Sequence, residues 1–266
     1  MMFDTHAHYD DSRFDEDRDA LLASLFGEKG VTHILNCGCD IPTSLRSISF
    51  AEKYPRMYAA VGVHPHEADN TPDDYINRLE QLLQHPKVVA VGEIGLDYYY
   101  DTPSRVAQKK VFLEQMRLAE RTGYPVVIHD RDAHKDCMDI ALSFSKVKGV
   151  FHSFSGSLES MKILTKAGWY ISVSGVVTFK NAQKLPEIAA AVDEDKLLVE
   201  TDCPYLTPVP FRGKRNDSGY LAYTIQKIAE LRGTTPEHIA KITAENAKKL
   251  FRIGDEIERI GDEIEK

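Results

Sequence analysis

The chain has 266 residues, of which 42% are hydrophobic and 28% are charged, a composition typical of folded globular domains. Its formal net charge of −8 argues against a non-catalytic DNA-binding module, because a polyanion then needs a local basic patch or bound metal ions. The sequence has no apolar run of about 18 residues, no signal-peptide pattern and only scattered cysteines, which predicts a cytoplasmic protein with reduced thiols and no membrane contact.

Short apolar runs alternate with helical patterns along the whole chain. Three of the runs, VVAVGEI, PVVIH and LLVET, are continuously apolar, as strands covered on both faces are. The pattern predicts eight strands, at 2–8, 31–37, 57–64, 88–94, 125–129, 149–152, 169–175 and 196–202. Helices are predicted at 14–30, 42–54, 73–85, 103–123, 132–145, 158–168, 185–192, 220–232 and 236–251.

Eight strand–helix units at this length favour a single closed (β/α)₈ barrel of the TIM type over an open doubly wound sheet. No linker interrupts the pattern, so residues 1–252 are predicted to form one domain. The sequence IGDEIE at 253–258 recurs at 260–265, in an acidic C-terminal tail over 253–266. Two heptads are too few to indicate a coiled coil, and the tail is assigned no function.

Six potential metal ligands stand at the ends of predicted strands. His6 and His8 share one face of the first strand, and two such imidazoles beside an apolar core are hard to satisfy without a cation or carboxylates. Glu93 ends the run VVAVGEI, where a buried carboxylate is costly unless a cation neutralises it. Strands five, six and eight end at further candidates. Because the carboxyl ends of barrel strands meet at one mouth, a metal site is predicted there, from His6, His8, Glu93, His129, His152 and Asp202.

The chain resembles the TatD-like metal-dependent deoxyribonucleases, a family of amidohydrolase-like metallohydrolases. The motifs that carry the resemblance span nearly the whole sequence: DTHAH, GVHPH, GEIGLDYY, PVVIH, FHSFSG, ETDCPYLTP and FRGKRN. The resemblance implies a TIM barrel that hydrolyses DNA with divalent cations, often from the 3′ end. It implies two metal ions, one held by His6, His8, Glu93 and Asp202 and the other by Glu93, His129 and His152.

The resemblance also implies roles near the metal ligands. Asp202 would both bind a metal and accept a proton from the attacking water, as a carboxylate within hydrogen-bond reach can. His64 and His66, in GVHPH, would contact phosphate or donate a proton to the leaving oxygen. Glu200 shares a face with Asp202, and it is expected either to orient a ligand or to be a solvated strand-end charge.

A compact basic segment follows the eighth strand and suits phosphate binding. It contains Arg212, Lys214 and Arg215, and Arg131 is a candidate to join it; the alternative is a solvated loop. The tyrosines at 98–100 could stack on unpaired bases or simply pack. After FRGKRN the family commonly continues with Glu-Pro, whereas Asp217 and Ser218 stand here, which puts the shape of the substrate rim in doubt.

The function predicted first is therefore a DNA phosphodiesterase, a 3′–5′ exonuclease acting on single-stranded or frayed ends, with no obligate protein partner evident. Two alternatives stay open: a metal-dependent hydrolase of amides, lactones or phosphotriesters, and a nucleic-acid-binding protein that keeps a metal for stability. The ligand set suits magnesium, manganese, zinc or nickel, so it does not name the metal. RNA in place of DNA is also open.

Overall fold

Eight parallel strands form one sheet in the order of the chain, and helices alternate with them. The computed structural model describes residues 1–254, and residues 255–266, which hold most of the predicted acidic tail, lie outside the described residues. The strands are β1 (Met2–Ala7), β2 (Val31–Cys37), β3 (Met57–Val61), β4 (Val88–Asp97), β5 (Val126–Arg131), β6 (Gly149–Phe151), β7 (Tyr170–Val173) and β8 (Leu197–Val199). The TIM-type barrel is confirmed.

The helices cover the strands and continue after the last of them. They are α1 (Arg18–Gly27), α2 (Ile41–Lys53), α3 (Tyr75–Leu82), α4 (Arg105–Thr122), α5 (His134–Ser143), α6 (Leu158–Lys166), α7 (Leu185–Ala191), α8 (Leu221–Arg232) and α9 (Pro236–Phe251). Ser104 caps α4 by accepting the backbone N–H of Ala107, and Gly123 ends the helix with φ 76°, a left-handed conformation that favours glycine.

The sheet closes between β8 and β1. The backbone N–H of Asp202 donates to the carbonyl of His6 at 2.9 Å, and that of His8 donates to the carbonyl of Cys203 at 2.8 Å. The backbone N–H of Glu200 still donates to the carbonyl of Val173 in β7 at 3.2 Å, and from Asp202 the chain hydrogen-bonds with β1 instead, so β8 ends earlier than predicted. β4 instead runs past its predicted end, because Asp97 still pairs with Arg131 of β5.

The apolar core lies between the strands and their helices, and a second cluster joins strand side chains to α9. Phe3, Leu35 and Tyr58 of that second cluster are buried, and they belong to the same cluster as Phe251 at the end of α9 and Ile253 just after it. The apolar side chains of the strands are used in these two clusters, and the polar residues of the candidate site lie at the carboxyl ends of the strands. Within residues 1–254, no helix is long and apolar enough to cross a membrane.

Candidate metal centre

Glu93 lies between two groups of imidazoles at the carboxyl ends of the strands. Its Oε2 atom is 3.2 Å from His6 Nε2 and 3.5 Å from His8 Nε2. Its Oε1 atom is 2.8 Å from His129 Nδ1 and 2.9 Å from His152 Nε2. One buried carboxylate thus presents a different oxygen to each pair of nitrogens, which is the arrangement that a carboxylate bridging two cations requires.

Asp202 completes the first group. Its Oδ1 atom lies 3.5 Å from His8 Nε2 and 3.7 Å from His6 Nε2. The residue has φ 57°, a conformation that is costly for a side chain other than glycine and that clusters at functional sites. Its backbone hydrogen bond to the carbonyl of His6 holds it there. The close of the barrel therefore places this carboxylate beside the two histidines of β1.

Three of the histidines have their second ring nitrogen occupied by an acceptor. The pairs are His8 Nδ1 with the carbonyl of Cys37 at 2.9 Å, His129 Nε2 with Asp97 Oδ2 at 3.2 Å, and His152 Nδ1 with Glu200 Oε1 at 3.3 Å. A ring nitrogen that donates to such an acceptor leaves the other nitrogen unprotonated, and metal-binding histidines are oriented in this way. In each of these three histidines the nitrogen with the free lone pair faces Glu93. The donor atoms of the site therefore fit two cations.

The charges of the site suit cations as well. Burial by itself raises the pKa of Glu93, but the imidazoles of His152, His6 and His64 outweigh it and lower this pKa well below its ordinary value. Burial also raises the pKa of Asp202, and the hydrogen bond with His8 together with nearby imidazole charge lowers it overall. Both carboxylates are therefore ionised at neutral pH.

His64 lies at the rim of the site with a fixed tautomer. Its Nδ1 atom accepts the backbone N–H of His66 at 3.2 Å, so the proton resides on Nε2, which is 3.4 Å from Glu93 Oε1. Burial lowers the pKa of His64 to about 4, which keeps the ring neutral at pH 7. The Nε2 atom is close enough to Glu93 and His129 to be a third ligand. The tautomer instead makes it a hydrogen-bond donor.

Asp97 contacts two histidines of the candidate site, and the sequence analysis did not assign it a role. Its Oδ2 atom lies 2.9 Å from His66 Nε2, in addition to its contact with His129. Its Oδ1 atom accepts the backbone N–H groups of Tyr99 and Tyr100. One carboxylate therefore connects a metal-facing histidine to a rim histidine. The feature of the sequence that could have identified Asp97 is its position at the end of the same apolar strand as Glu93.

Gly95 allows β4 and β5 to come close at this point. It has φ 142°, and a Cβ atom on it would lie 2.0 Å from the carbonyl oxygen of His129. Any side chain here would push His129 away from Glu93. Glycine is thus required between the two carboxylates Glu93 and Asp97.

Two cavities meet at the metal centre and share His129, Arg131, His152, Asp202 and Leu206. The first, of about 700 Å³, is here called the tyrosine lobe because Tyr100 and Tyr205 line it. The second, of about 550 Å³, is called the lysine lobe because Lys184 lines it, together with Ser153 and Asn181. Together the two lobes form an open cleft with the candidate ligands at its centre.

The predicted phosphate contacts are distributed unevenly around this cleft. His64 and His66 line the tyrosine lobe, and Arg131 lines both lobes. Arg212 and Lys214 are not among the lining residues. The Arg212 guanidinium lies 4.3 Å from the ring centroid of Phe179, and the Lys214 ammonium lies 5.5 Å from that of Phe211.

Arg215 does not line either lobe. It forms an ion pair with Asp17 at 2.6 Å and lies over the ring of Phe14. The three basic side chains of the segment predicted from the sequence therefore have separate partners. Glu200 was expected either to orient a ligand or to be a solvated charge. Its Oε1 atom contacts His152 and also accepts the backbone N–H of Ser153 at 2.6 Å, so it holds the loop that follows His152.

The other histidines lie away from the centre. His85 pairs with Glu52, His134 with Asp130 and His238 with Glu194. His33 stacks on Phe3 with ring centroids 5.1 Å apart. These four histidines therefore contact residues outside the group of candidate ligands.

A family model described as TatD related DNase matches residues 3–252. The chain belongs to the TatD family. An uncharacterized metal-dependent hydrolase of Bacillus subtilis, YabD, is 44% identical to it over 255 residues, which cover 95% of this chain and 100% of YabD. A Salmonella typhimurium protein named 3′–5′ ssDNA/RNA exonuclease TatD is 32% identical over 260 residues, with coverage of 95% and 99%.

A solved structure agrees with these matches. The crystal structure of YjjV, a TatD homolog from Escherichia coli K12, superposes with a TM-score of 0.90 at 32% identity, and the match covers 95% of this chain and 98% of YjjV. The TatD-family chain is therefore a hydrolytic enzyme, and its relatives are named as metal-dependent.

Proposed function

We propose that this TatD-family hydrolase cleaves phosphodiester bonds of DNA, that it removes nucleotides from the 3′ end of single-stranded or frayed DNA, and that it uses two divalent cations. The observation that carries the proposal is the position of Glu93, whose two oxygens face separate pairs of imidazole nitrogens. Two-cation centres of this kind are suited to in-line displacement at phosphorus. The name of the Salmonella relative supports the substrate class and the direction of digestion.

The residues of the chain have separable tasks in this reaction. Bound cations would supply an acidified water and electrostatic stabilisation of the phosphodiester oxygens. His6, His8 and Asp202 would hold one cation, His129 and His152 the other, and Glu93 both. Asp202 is ionised and lies at the mouth of the cleft, so it is placed to accept the proton of the attacking water.

The rim residues would bind the phosphate. His64 presents its Nε2–H beside Glu93 and would donate a hydrogen bond to a phosphoryl oxygen. His66 is held by Asp97 on the same rim. Among the described residues Arg131 forms no ion pair, so its guanidinium is available to a phosphate at the junction of the lobes. Arg212 and Lys214 are proposed to contact the DNA further from the bond that is cut.

The test is a gel assay with end-labelled single- and double-stranded oligonucleotides. Purified protein is compared metal-free and with Mg²⁺, Mn²⁺, Zn²⁺ or Ni²⁺, and Asp202→Asn serves as the control for contaminating nuclease. The proposal predicts a ladder that shortens from the 3′ end, requires a cation and is absent with the variant. If folded, metal-loaded protein cleaves no DNA or RNA, the proposal fails and an amide, lactone or phosphotriester substrate becomes the better hypothesis.

A further inference from the structure

The cleft extends to both sides of the metal centre, so its two lobes can hold different parts of one substrate. The residues shared by the lobes include the candidate ligands His129, His152 and Asp202, which places the bond to be cut at their junction. The volume of the tyrosine lobe, about 700 Å³, lies within the range of pockets that enclose a small molecule. A substrate bound at the junction therefore has one portion in each lobe.

The charges of the lobes differ. The tyrosine lobe contains Asp10 and Glu67, neither of which forms an ion pair among the described residues, whereas its Asp11 is paired with Arg13 at 2.8 Å. The lysine lobe contains Lys184, which is exposed and forms no ion pair with any residue that the structure describes, whereas its Asp130 is paired with His134 at 2.8 Å. A chain of phosphates is repelled by the first set of charges and attracted by the second. The polyanionic portion of the substrate therefore belongs in the lysine lobe.

The tyrosine lobe offers aromatic surface. The side chains of Tyr100 and Tyr205 are 58% and 49% exposed although both are large and apolar, and both line this lobe. The ring of His66 meets that of Tyr100 edge-on with centroids 5.2 Å apart, and Arg13 lies 4.3 Å from the ring centroid of Tyr205. These contacts hold the rings in place. Exposed rings that line a cleft are suited to stacking with a nucleobase.

We propose that the tyrosine lobe binds the terminal nucleoside, with its base against Tyr100 and Tyr205, and that the lysine lobe binds the adjoining chain, with its next phosphate at Lys184. This assignment rests on the proposed nuclease function and deepens it. Recognition by stacking is tolerant of base identity, so the enzyme removes each kind of nucleotide in turn. Recognition of a second phosphate favours a polynucleotide over an isolated diester.

The first arm of the test concerns the base. Wild type is compared on two oligonucleotides that differ only in whether the 3′-terminal nucleotide carries a base. The expected kcat/KM is about tenfold higher with the base, and Tyr100→Leu or Tyr205→Leu reduces this ratio to about two- to threefold. Tyr223→Leu is the control, because Tyr223 is 40% exposed on α8 but does not line the cleft, and it should keep the wild-type ratio.

The second arm concerns the next phosphate. Lys184→Gln is expected to raise KM for a ten-nucleotide substrate about fivefold at low salt, with a smaller effect on a dinucleotide, which has only the phosphate that is cut. Lys180→Gln removes the same charge from the same loop at an exposed position outside the lysine lobe. Its KM for the longer substrate should equal that of the wild type.

The outcomes separate the two proposals. Suppose that wild type cleaves oligonucleotides, that Lys184→Gln has the same KM as Lys180→Gln, and that neither tyrosine substitution changes the ratio of kcat/KM with and without the terminal base. The lobe assignment is then overturned, while the nuclease function stands. If wild type hydrolyses bis(p-nitrophenyl) phosphate but no oligonucleotide, the nuclease function is overturned and the assignment with it.

Discussion

Replacing Asp97 by asparagine removes a negative charge beside the second pair of ligands and keeps the size of the side chain. Asp97 Oδ2 lies 3.2 Å from His129 Nε2 and 2.9 Å from His66 Nε2, while Oδ1 accepts the backbone N–H groups of Tyr99 and Tyr100. The asparagine oxygen can keep the two backbone bonds, but its NH₂ group then faces the imidazoles and cannot accept a proton from them. His129 is released to place its proton on Nδ1, where it blocks the cation.

The size of the effect follows from the single interaction that is lost. A hydrogen bond to a charged group contributes about 1.5–3 kcal/mol, and about 1.4 kcal/mol corresponds to a factor of ten. Loss of an acceptor behind a metal-binding histidine commonly costs about 10- to 100-fold in metal affinity or activity. The two figures agree. The dissociation constant of one cation should therefore rise about 10- to 100-fold while the other changes little.

The assay is a calorimetric titration of chelator-treated protein with Mn²⁺, followed by hydrolysis of DNA as a function of Mn²⁺ concentration. Asp101→Asn is the matched control, because Asp101 lies on the same loop and, within residues 1–254, its one ion pair is the exposed contact with Arg105. Asp97→Asn should need more Mn²⁺ for half-maximal rate and recover most of its activity when saturated. Metal affinity and activation equal to those of Asp101→Asn would refute the account of Asp97.

Two further predictions concern the first group of ligands, and a third concerns the buried carboxyl group of Asp4. Asp202→Asn should lower kcat by a factor of about 10² to 10⁴ with an unchanged far-UV circular dichroism spectrum, and turnover at the wild-type rate would reject its role as base. His6→Ala should lower the bound metal measured by mass spectrometry, and an unchanged stoichiometry would contradict its assignment as a ligand. The third is a pH effect: burial raises the pKa of Asp4 from 3.8 to about 7, so the folded state binds more protons than the unfolded chain between these values. The free energy of unfolding should then fall as the pH rises from about 4 to about 7, by at most about 4 kcal/mol, and in urea denaturation Asp4→Asn should lack this slope.

Local patterns were sufficient to predict the barrel and the place of its candidate site. Continuous apolar runs identified the buried strands, and polar residues at their ends marked the mouth. The parallel order of the strands then brings together residues as distant as His6 and Asp202, whose side chains lie 3.7 Å apart. The place of the site could be predicted without knowing any tertiary contact, because the carboxyl ends of all strands are neighbours in a parallel barrel.

The rest depends on pairings that strand patterns do not encode. Arg215 belongs to a basic stretch, yet its partner Asp17 is 198 residues away, so its charge is neutralised by a contact invisible in the local sequence. Asp97 stands one residue beyond Leu96 at the end of an apolar run, but only the tertiary structure places His129 and His66 on one oxygen of it. Strand ends behave similarly: the backbone bonds to β7 end at Glu200 and the chain pairs with β1 from Asp202, so β8 is shorter than its apolar pattern predicts.

The most direct test of the account is the number of cations at which DNA hydrolysis reaches its maximum. Chelator-treated protein is loaded stepwise with Mn²⁺, and bound metal and 3′-end hydrolysis are measured on the same samples. The bridging position of Glu93 predicts that hydrolysis reaches its plateau at two bound cations per chain, and that His129→Ala binds one. Full hydrolysis with one bound cation, or with none, would contradict it.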